Sequence, residues 1–235
     1  MNSERQFHLI KFYEFIAMLE STLGGTRKLS ECSGRMIWPL RGIYFFKEHG
    51  ERCTDSGQGP RIVRIGTHAL KAGSKTKLWS RLSQHKGHTR SGGGNHRGSI
   101  FRLVVGTALI KKNGSDCSSW DQPGSATREI RNKELNLEQA VSAVIGDMPF
   151  LWLSINDDPG PKSLRGYIER NAIALLSNYE KKPIDPPSEN WLGKFCSRER
   201  MRKSGLWNSN HVDEAYDPAF LETLERLIDQ MKINA

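Results

Sequence analysis

Residues 41 to 70 read RGIYFFKEHGERCTDSGQGPRIVRIGTHAL. Two short apolar runs, Gly42 to Phe46 and Ile62 to Gly66, each carry a glycine at one edge, and a polar, glycine-rich connection joins them. This pattern predicts neighbouring strands of hairpin type. Alternation places Gly42, Tyr44 and Phe46 on one face of the first strand and Ile43 and Phe45 on the other. In the second strand Ile62, Arg64 and Gly66 share a face. Glycine weakens a strand and often marks close approach by a ligand or another backbone. The expectation is a concave site flanked by Gly42 and Gly66, with Tyr44 and Arg64 inside it.

Around the hairpin the periodicity changes. Leu9, Phe12, Phe15 (or Ile16) and Leu19 recur at helical spacing, and Gly24-Gly25 stops the pattern. SKTKLWSRLSQHK predicts a short amphipathic helix with Ser74 or Thr76 as N-cap. HTRSGGGNHRGS reads as a loop. IFRLVVGTALI, apolar and rich in β-branched residues, predicts a central strand, and MPFLWLSI another. Residues 126 to 144 have helical composition. KSLRGYIERNAIALLSNY carries an apolar stripe of Leu164, Ile168, Ala172, Leu175 and Leu176. YDPAFLETLERLIDQM predicts a final helix. The fold class expected is α/β of the α+β type: a small, mainly antiparallel sheet flanked by helices, with helical additions at both ends.

Charge narrows the partners. The formal net charge is +9. From Ser56 to Ser115 there is no Asp or Glu, while Arg61, Arg64, Lys71, Lys75, Lys77, Arg81, Lys86, Arg90, Arg97, Arg102, Lys111 and Lys112 supply twelve positive charges. A charge run is ordinarily a solvated face. A mixed solvated face carries both signs, so sixty residues without a carboxylate suggest a surface built to meet a polyanion, nucleic acid first. The four cysteines form no CxxC pair, which argues against a zinc knuckle or disulfide framework and suits a reducing cytoplasm. Charges interrupt the N-terminal apolar run, so neither a signal peptide nor a membrane span is expected.

The candidate chemistry follows from side-chain type. Arg81 and His85 stand at i,i+4 on one helix face. Glu169 sits at the rim of its helix's apolar stripe, where a carboxylate can hold a hard cation such as Mg²⁺ (or Mn²⁺). Phosphodiester hydrolysis needs a proton acceptor, a cation at the leaving oxygen and arginine against the developing charge. Tyr44 is a weak base unless positive charge stands nearby, which Arg64 and Arg81 can provide. His85 is the alternative base.

Gly42-Ile43-Tyr44 followed by Arg64-Ile65-Gly66 resembles the paired motif of GIY-YIG nucleases. The order is also similar: two motif strands, an arginine-bearing helix, then a later helix with a single glutamate. The resemblance implies that Arg81 is the family arginine and Glu169 the metal-binding glutamate. The Arg81-x-x-x-His85 spacing is similar to the pair found in GIY-YIG restriction endonucleases. It covers roughly Arg41 to Asn190, implying a helical extension over 1–40, a nuclease core over 41–190 and a C-terminal extension over 191–235. Arg64 stands where the family usually has tyrosine, and the family asparagine is matched by Asn178 or by Asn190.

These readings imply a Mg²⁺-dependent DNA endonuclease of restriction or defence type acting on double-stranded DNA, with no membrane partner and a homodimer left open. Lys75 and Lys86 are expected on phosphates, Asn95 and Arg97 in a base-reading loop, and Asn178 near DNA. Two alternatives stand beside it: a non-catalytic DNA-binding module, which Arg64 keeps open, and a structure-specific repair nuclease. Taken singly, each residue also has an ordinary reading. Tyr44 is then a strand tyrosine, Arg64 a solvated charge, and Glu169 a partner of Arg165 at i,i−4. His85, His88 and His96 lack trustworthy metal-ligand spacing. The tryptophans read as core residues. Arg198, Arg200, Arg202 and Lys203 form a second basic cluster that either adds DNA contacts or lies in a segment covering the sheet edge.

Overall fold

The computed structural model describes residues 2–233. The elements in chain order are α1 (Asn2–Thr22), β1 (Arg27–Lys28), β2 (Gly42–Arg52), β3 (Pro60–Gly66), α2 (Leu78–Lys86), α3 (Ile100–Asn113), α4 (Arg128–Asp147), β4 (Pro149–Ser154), α5 (Leu164–Leu176), α6 (Glu199–Ser204) and α7 (Phe220–Ile233). The four strands form one open sheet in the order β1-β4-β2-β3, and each pairing is antiparallel. Helices cover both faces, so the class is α/β with the sheet as the middle layer. Among the described residues no helix is long and apolar enough to cross a membrane.

One face carries Ile43, Phe45, Ile62, Ile65, Leu151 and Leu153, packed with the apolar stripes of α1, α5 and α7. The other carries Tyr44, Phe46, Val63, Phe150 and Trp152, packed with Leu78, Leu82, Phe101, Val104, Val105, Val141 and Ile145 of α2, α3 and α4. Both faces are buried, which is why these strands read as near-continuous apolar runs. Alternation fails at one point. Phe46 pairs with Arg64 and Lys47 with Ile62, so Val63 is bulged and Ile62 turns to the face opposite Arg64. The expected sharing of a face by Ile62 and Arg64 is therefore corrected.

Residues 100–110, expected as a central strand, form α3 instead. The cause lies at the ends and on the faces. The Ser99 side chain caps the helix by accepting from Arg102 N, and Gly114 closes it in the left-handed conformation at φ 60°. Phe101, Val104, Val105 and Ala108 then fall on one stripe towards the sheet. Gly106 is needed because the Trp120 indole lies where a Cβ would stand. At α2 the residue at the N-cap is Lys77, with no side-chain cap; neither Ser74 nor Thr76 fills that place.

The glycine-rich loop is packed onto α4. Arg102, 0 % exposed, donates through Nε to Glu138 at 2.9 Å and through Nη1 to the His85 carbonyl at 2.8 Å. Glu138 also accepts from His96 N at 2.7 Å and faces His96 Nδ1 at 2.9 Å. Gly94 leaves room for the Arg102 guanidinium. Glu138→Ala would leave a buried arginine uncompensated, a change expected to cost about 3–5 kcal/mol. Urea unfolding measures it, and a loss under about 1 kcal/mol would show that the pair is not what holds loop, α2 and α3 together.

The free edge of β3 is closed by the segment after α6. Trp207 N donates to Val63 O at 2.7 Å, and the Asn208 amide pairs with both Ile65 N (3.1 Å) and Ile65 O (2.8 Å). Of the two roles open for this segment, covering the edge is visible. The second basic cluster is largely engaged: Arg200 with Asp213, Lys203 with Glu199, and Arg202 with the carbonyls of Cys196 and Ser197.

Candidate active site

Tyr44 reaches across the hairpin. It pairs with Gly66, and a Cβ at Gly66 would overlap the Tyr44 phenol. Gly42 is tight for another reason: a Cβ there would come within 2.5 Å of the Leu153 carbonyl of β4. The two motif glycines thus admit a phenol ring and a neighbouring strand, not a ligand.

The phenol oxygen lies 2.8 Å from His85 Nε2, and His85 Nδ1 lies 2.7 Å from Ser99 Oγ. This chain runs from β2 through α2 to the N-cap of α3. Tyr44 is 1 % exposed and His85 0 %. Burial, then the charges of Arg64, Arg81 and Arg102, push the His85 imidazole well below the usual histidine range, so the ring is neutral. Arg64 is also buried. Its Nη1 donates to the Trp207 carbonyl, its guanidinium lies 4.5 Å from the Phe101 ring centroid, and its Nε has no hydrogen-bond partner among the described residues. Burial lowers its affinity for a proton, while Tyr44 and Glu169 oppose that effect and Arg81 adds to it.

Glu169 faces the same space from α5. Thr67 N donates to Oε1 at 3.1 Å, and the Thr67 hydroxyl donates to Gly42 O at 2.9 Å. The second carboxylate oxygen has no hydrogen-bond donor among the described residues. Burial raises the carboxyl; Arg64, His211 and Arg81 pull it back. Arg165, its alternative partner by spacing, instead binds Asp157 through Nε and the His68 carbonyl through Nη1. Arg81 is half-exposed and donates to Gln84 at 3.0 Å. Tyr44, Arg64, Arg81, His85 and Glu169 are therefore in one electrostatic neighbourhood. The sequence contained no signal for Ser99 or His211 in it, because both arrive from distant elements.

The residues expected on DNA are placed differently from one another. Lys75 is exposed on the loop between β3 and α2. Lys86 donates to the carbonyls of Ser30 and Cys32. Asn95 is exposed and accepts from Arg97 N at 3.2 Å. Arg97 forms a two-pronged pair with Glu134 at 2.7 and 2.9 Å. Asn178 falls two residues beyond α5 and is buried, accepting from Arg5 and Ile184 N and donating to Ile184 O. Asn190 is exposed. His96 stacks on Trp120 with centroids 3.8 Å apart, and His88 is exposed.

A hairpin whose first strand presents tyrosine and whose second presents arginine, followed by an arginine–histidine helix and a later glutamate helix around one space, defines a nuclease-type α/β domain. The chain belongs to the GIY-YIG family, whose model, described as a GIY-YIG domain, matches residues 3–234. Comparison with curated proteins found no match. Comparison with solved structures also found none.

Proposed function

We propose that the protein is a divalent-metal-dependent endonuclease that hydrolyses phosphodiester bonds of double-stranded DNA, of restriction or defence type. GIY-YIG domains are nuclease folds that generally act on DNA and depend on a divalent metal. The observation that carries the reading is the convergence of Tyr44, Arg64, Arg81, His85 and Glu169. Arg81 with His85 four residues later supports the restriction type.

Glu169 fits a hard cation: its second oxygen is uncommitted, and a lone carboxylate suits a metal that keeps most of its waters. When bound there, Mg²⁺ (or Mn²⁺) supplies positive charge for the leaving oxygen. Arg64 and Arg81 oppose the charge that develops on the phosphoryl oxygens. The Tyr44–His85 pair receives the proton of the attacking water. Incubation of plasmid and phage DNA with Mg²⁺ should give cleavage that EDTA abolishes. Intact DNA on every substrate with Mg²⁺ and Mn²⁺ would remove the catalytic reading. Preference for branched DNA over plain duplex would favour a repair role.

A second reading is binding without cutting. Arg64 in place of the family tyrosine and the near-complete enclosure of Tyr44 and His85 favour it. Specific duplex affinity without cleavage is its signature.

The DNA surface is smaller than the charge run suggests. Arg61 is paired with buried Glu51, Arg97 with Glu134 and Arg102 with Glu138, and Arg64 is buried in the site. Glutamates outside the acid-free segment fold back onto it. Eight of its twelve cations remain outside such pairs and outside the core: Lys71, Lys75, Lys77, Arg81, Lys86, Arg90, Lys111 and Lys112. If half of these meet phosphates, log K falls against log salt with a slope of about −3.6. Lys75→Ala should flatten that slope by about one unit on all sequences alike. An affinity nearly independent of salt would exclude this surface as the DNA contact.

A further inference from the structure

The two edges of the sheet differ. The edge of β3 is closed by Trp207 and Asn208. The opposite edge is β1, which is two residues long and meets only Phe150 and Pro149 of β4. Its shortness has a local cause. Gly24 and Gly25, at φ 69° and 110°, turn the chain out of α1, and pairing starts only at Arg27. Beyond Phe150 the outer side of β4 has no strand partner among the described residues.

Strand parity identifies the groups left there. Ile155 N donates to Arg41 O at 3.2 Å, so Leu151, Leu153 and Ile155 turn their backbone groups towards β2. Phe150, Trp152 and Ser154 turn theirs outward, Phe150 towards Arg27 and the other two into a groove of about 790 Å³. Trp38 lines the groove on the Tyr44 face of the sheet, and Leu227 and Met231 of α7 line it on the opposite face. The groove therefore runs along the edge itself. An open edge presents donors and acceptors at strand spacing, and another extended backbone is what matches them. The walls select further. Trp38 and Trp152 have ring centroids 4.9 Å apart, and Ile37 on the rim is 99 % exposed. The Arg27 guanidinium lies 5.9 Å from the Trp152 ring centroid, and Arg226 is exposed on α7. No Asp or Glu lines the groove among the described residues.

We propose that the outer edge of β4 docks an extended acidic segment of another protein, which adds a strand through Trp152 and Ser154. Each of these two residues offers one N–H and one C=O to the incoming backbone. Apolar side chains of the segment meet Trp38 on one face and Leu227 and Met231 on the other, and its carboxylates meet Arg27 and Arg226. DNA could bring rings and negative charge to this groove, but it has no peptide backbone to pair with the edge. A second copy of the chain would bring an edge walled in the same way. The site is independent of the nuclease reading.

Selection on the full chain from a displayed library of random linear peptides of about ten residues should enrich sequences in which Asp or Glu alternates with apolar residues. A synthetic copy of an enriched peptide should slow amide hydrogen exchange at Trp152 and Ser154 and leave Leu151 and Leu153, already paired with β2, unchanged. Ser154→Pro removes an outward N–H and keeps the β2 ladder. It should weaken peptide binding at least about tenfold, the loss expected for one hydrogen bond. Arg226→Glu should weaken it by a similar factor, and it decides the matter if Ser154→Pro fails to fold. Parental affinity in either variant overturns the proposal. So does a selection that enriches nothing or enriches basic sequences, or a bound peptide that leaves Trp152 and Ser154 exchanging as in the free chain. Protection of those two amides by a single-stranded DNA oligonucleotide, or by raising the concentration of the chain alone, overturns it in favour of nucleic acid or of a second copy.

Discussion

Glu169→Gln is expected to lower DNA cleavage by about 10³-fold or more, because a metal's stabilisation of a leaving oxygen contributes several kcal/mol and each 1.36 kcal/mol is tenfold in rate. The substitution is mild for the fold. A glutamine oxygen can still accept from Thr67 N, and the side-chain volume barely changes. Duplex affinity should be unchanged or slightly tighter, since one negative charge is removed beside Arg64 and Arg81. Gel-shift and cleavage assays on the same preparation check both arms. Cleavage at the parental rate would remove Glu169 from the metal site, and lost binding would show that it holds the DNA surface instead.

The next largest effect is expected at Tyr44. Tyr44→Phe deletes one oxygen and keeps the ring, which packs against Phe46 and His85 with centroids 5.6 Å away in each case. If the phenol accepts the proton, the rate should fall by about 10²–10⁴-fold. The buried His85 Nε2 also loses its partner, which should lower stability by about 1–3 kcal/mol. Single-turnover rates and urea unfolding measure the two separately. Full activity in Tyr44→Phe, with a large loss in His85→Ala, would transfer the proton-acceptor role to His85.

How much of this site was legible in the sequence depends on range. The order Tyr44, Arg64, Arg81, His85 and Glu169 could be read along the chain because each residue lies on an element with its own local signature. The helices over 2–22 and 164–176 were equally readable: their apolar stripes have helical spacing and do pack on the sheet. Spacing could not reveal competition between partners. Glu169 and Arg165 suit an i,i−4 pair, yet Asp157, from the loop after β4, takes the arginine and leaves the carboxylate to Thr67.

Local pattern failed where burial on every side erased periodicity. Residues 100–110 are apolar with β-branched members, a composition shared by buried strands and buried helices. The Ser99 cap, the Gly114 terminus and the Trp120 ring against Gly106 favour the helix, and all three are end or tertiary effects that come from outside the run itself. The charge run shows the same limit. The absence of acids over residues 56–115 is a fact of chain order, while surface charge is a fact of three dimensions. Glu51, Glu134 and Glu138 return to Arg61, Arg97 and Arg102 because a buried guanidinium is costly without a carboxylate. Sequence by itself determined the strand pair, its glycines and the order of the candidate groups, since these follow from two-residue and 3.6-residue periods. The tertiary structure alone decided which oxygen of Glu169 is uncommitted and which arginines are neutralised, because each depends on groups ten or more residues apart meeting in space.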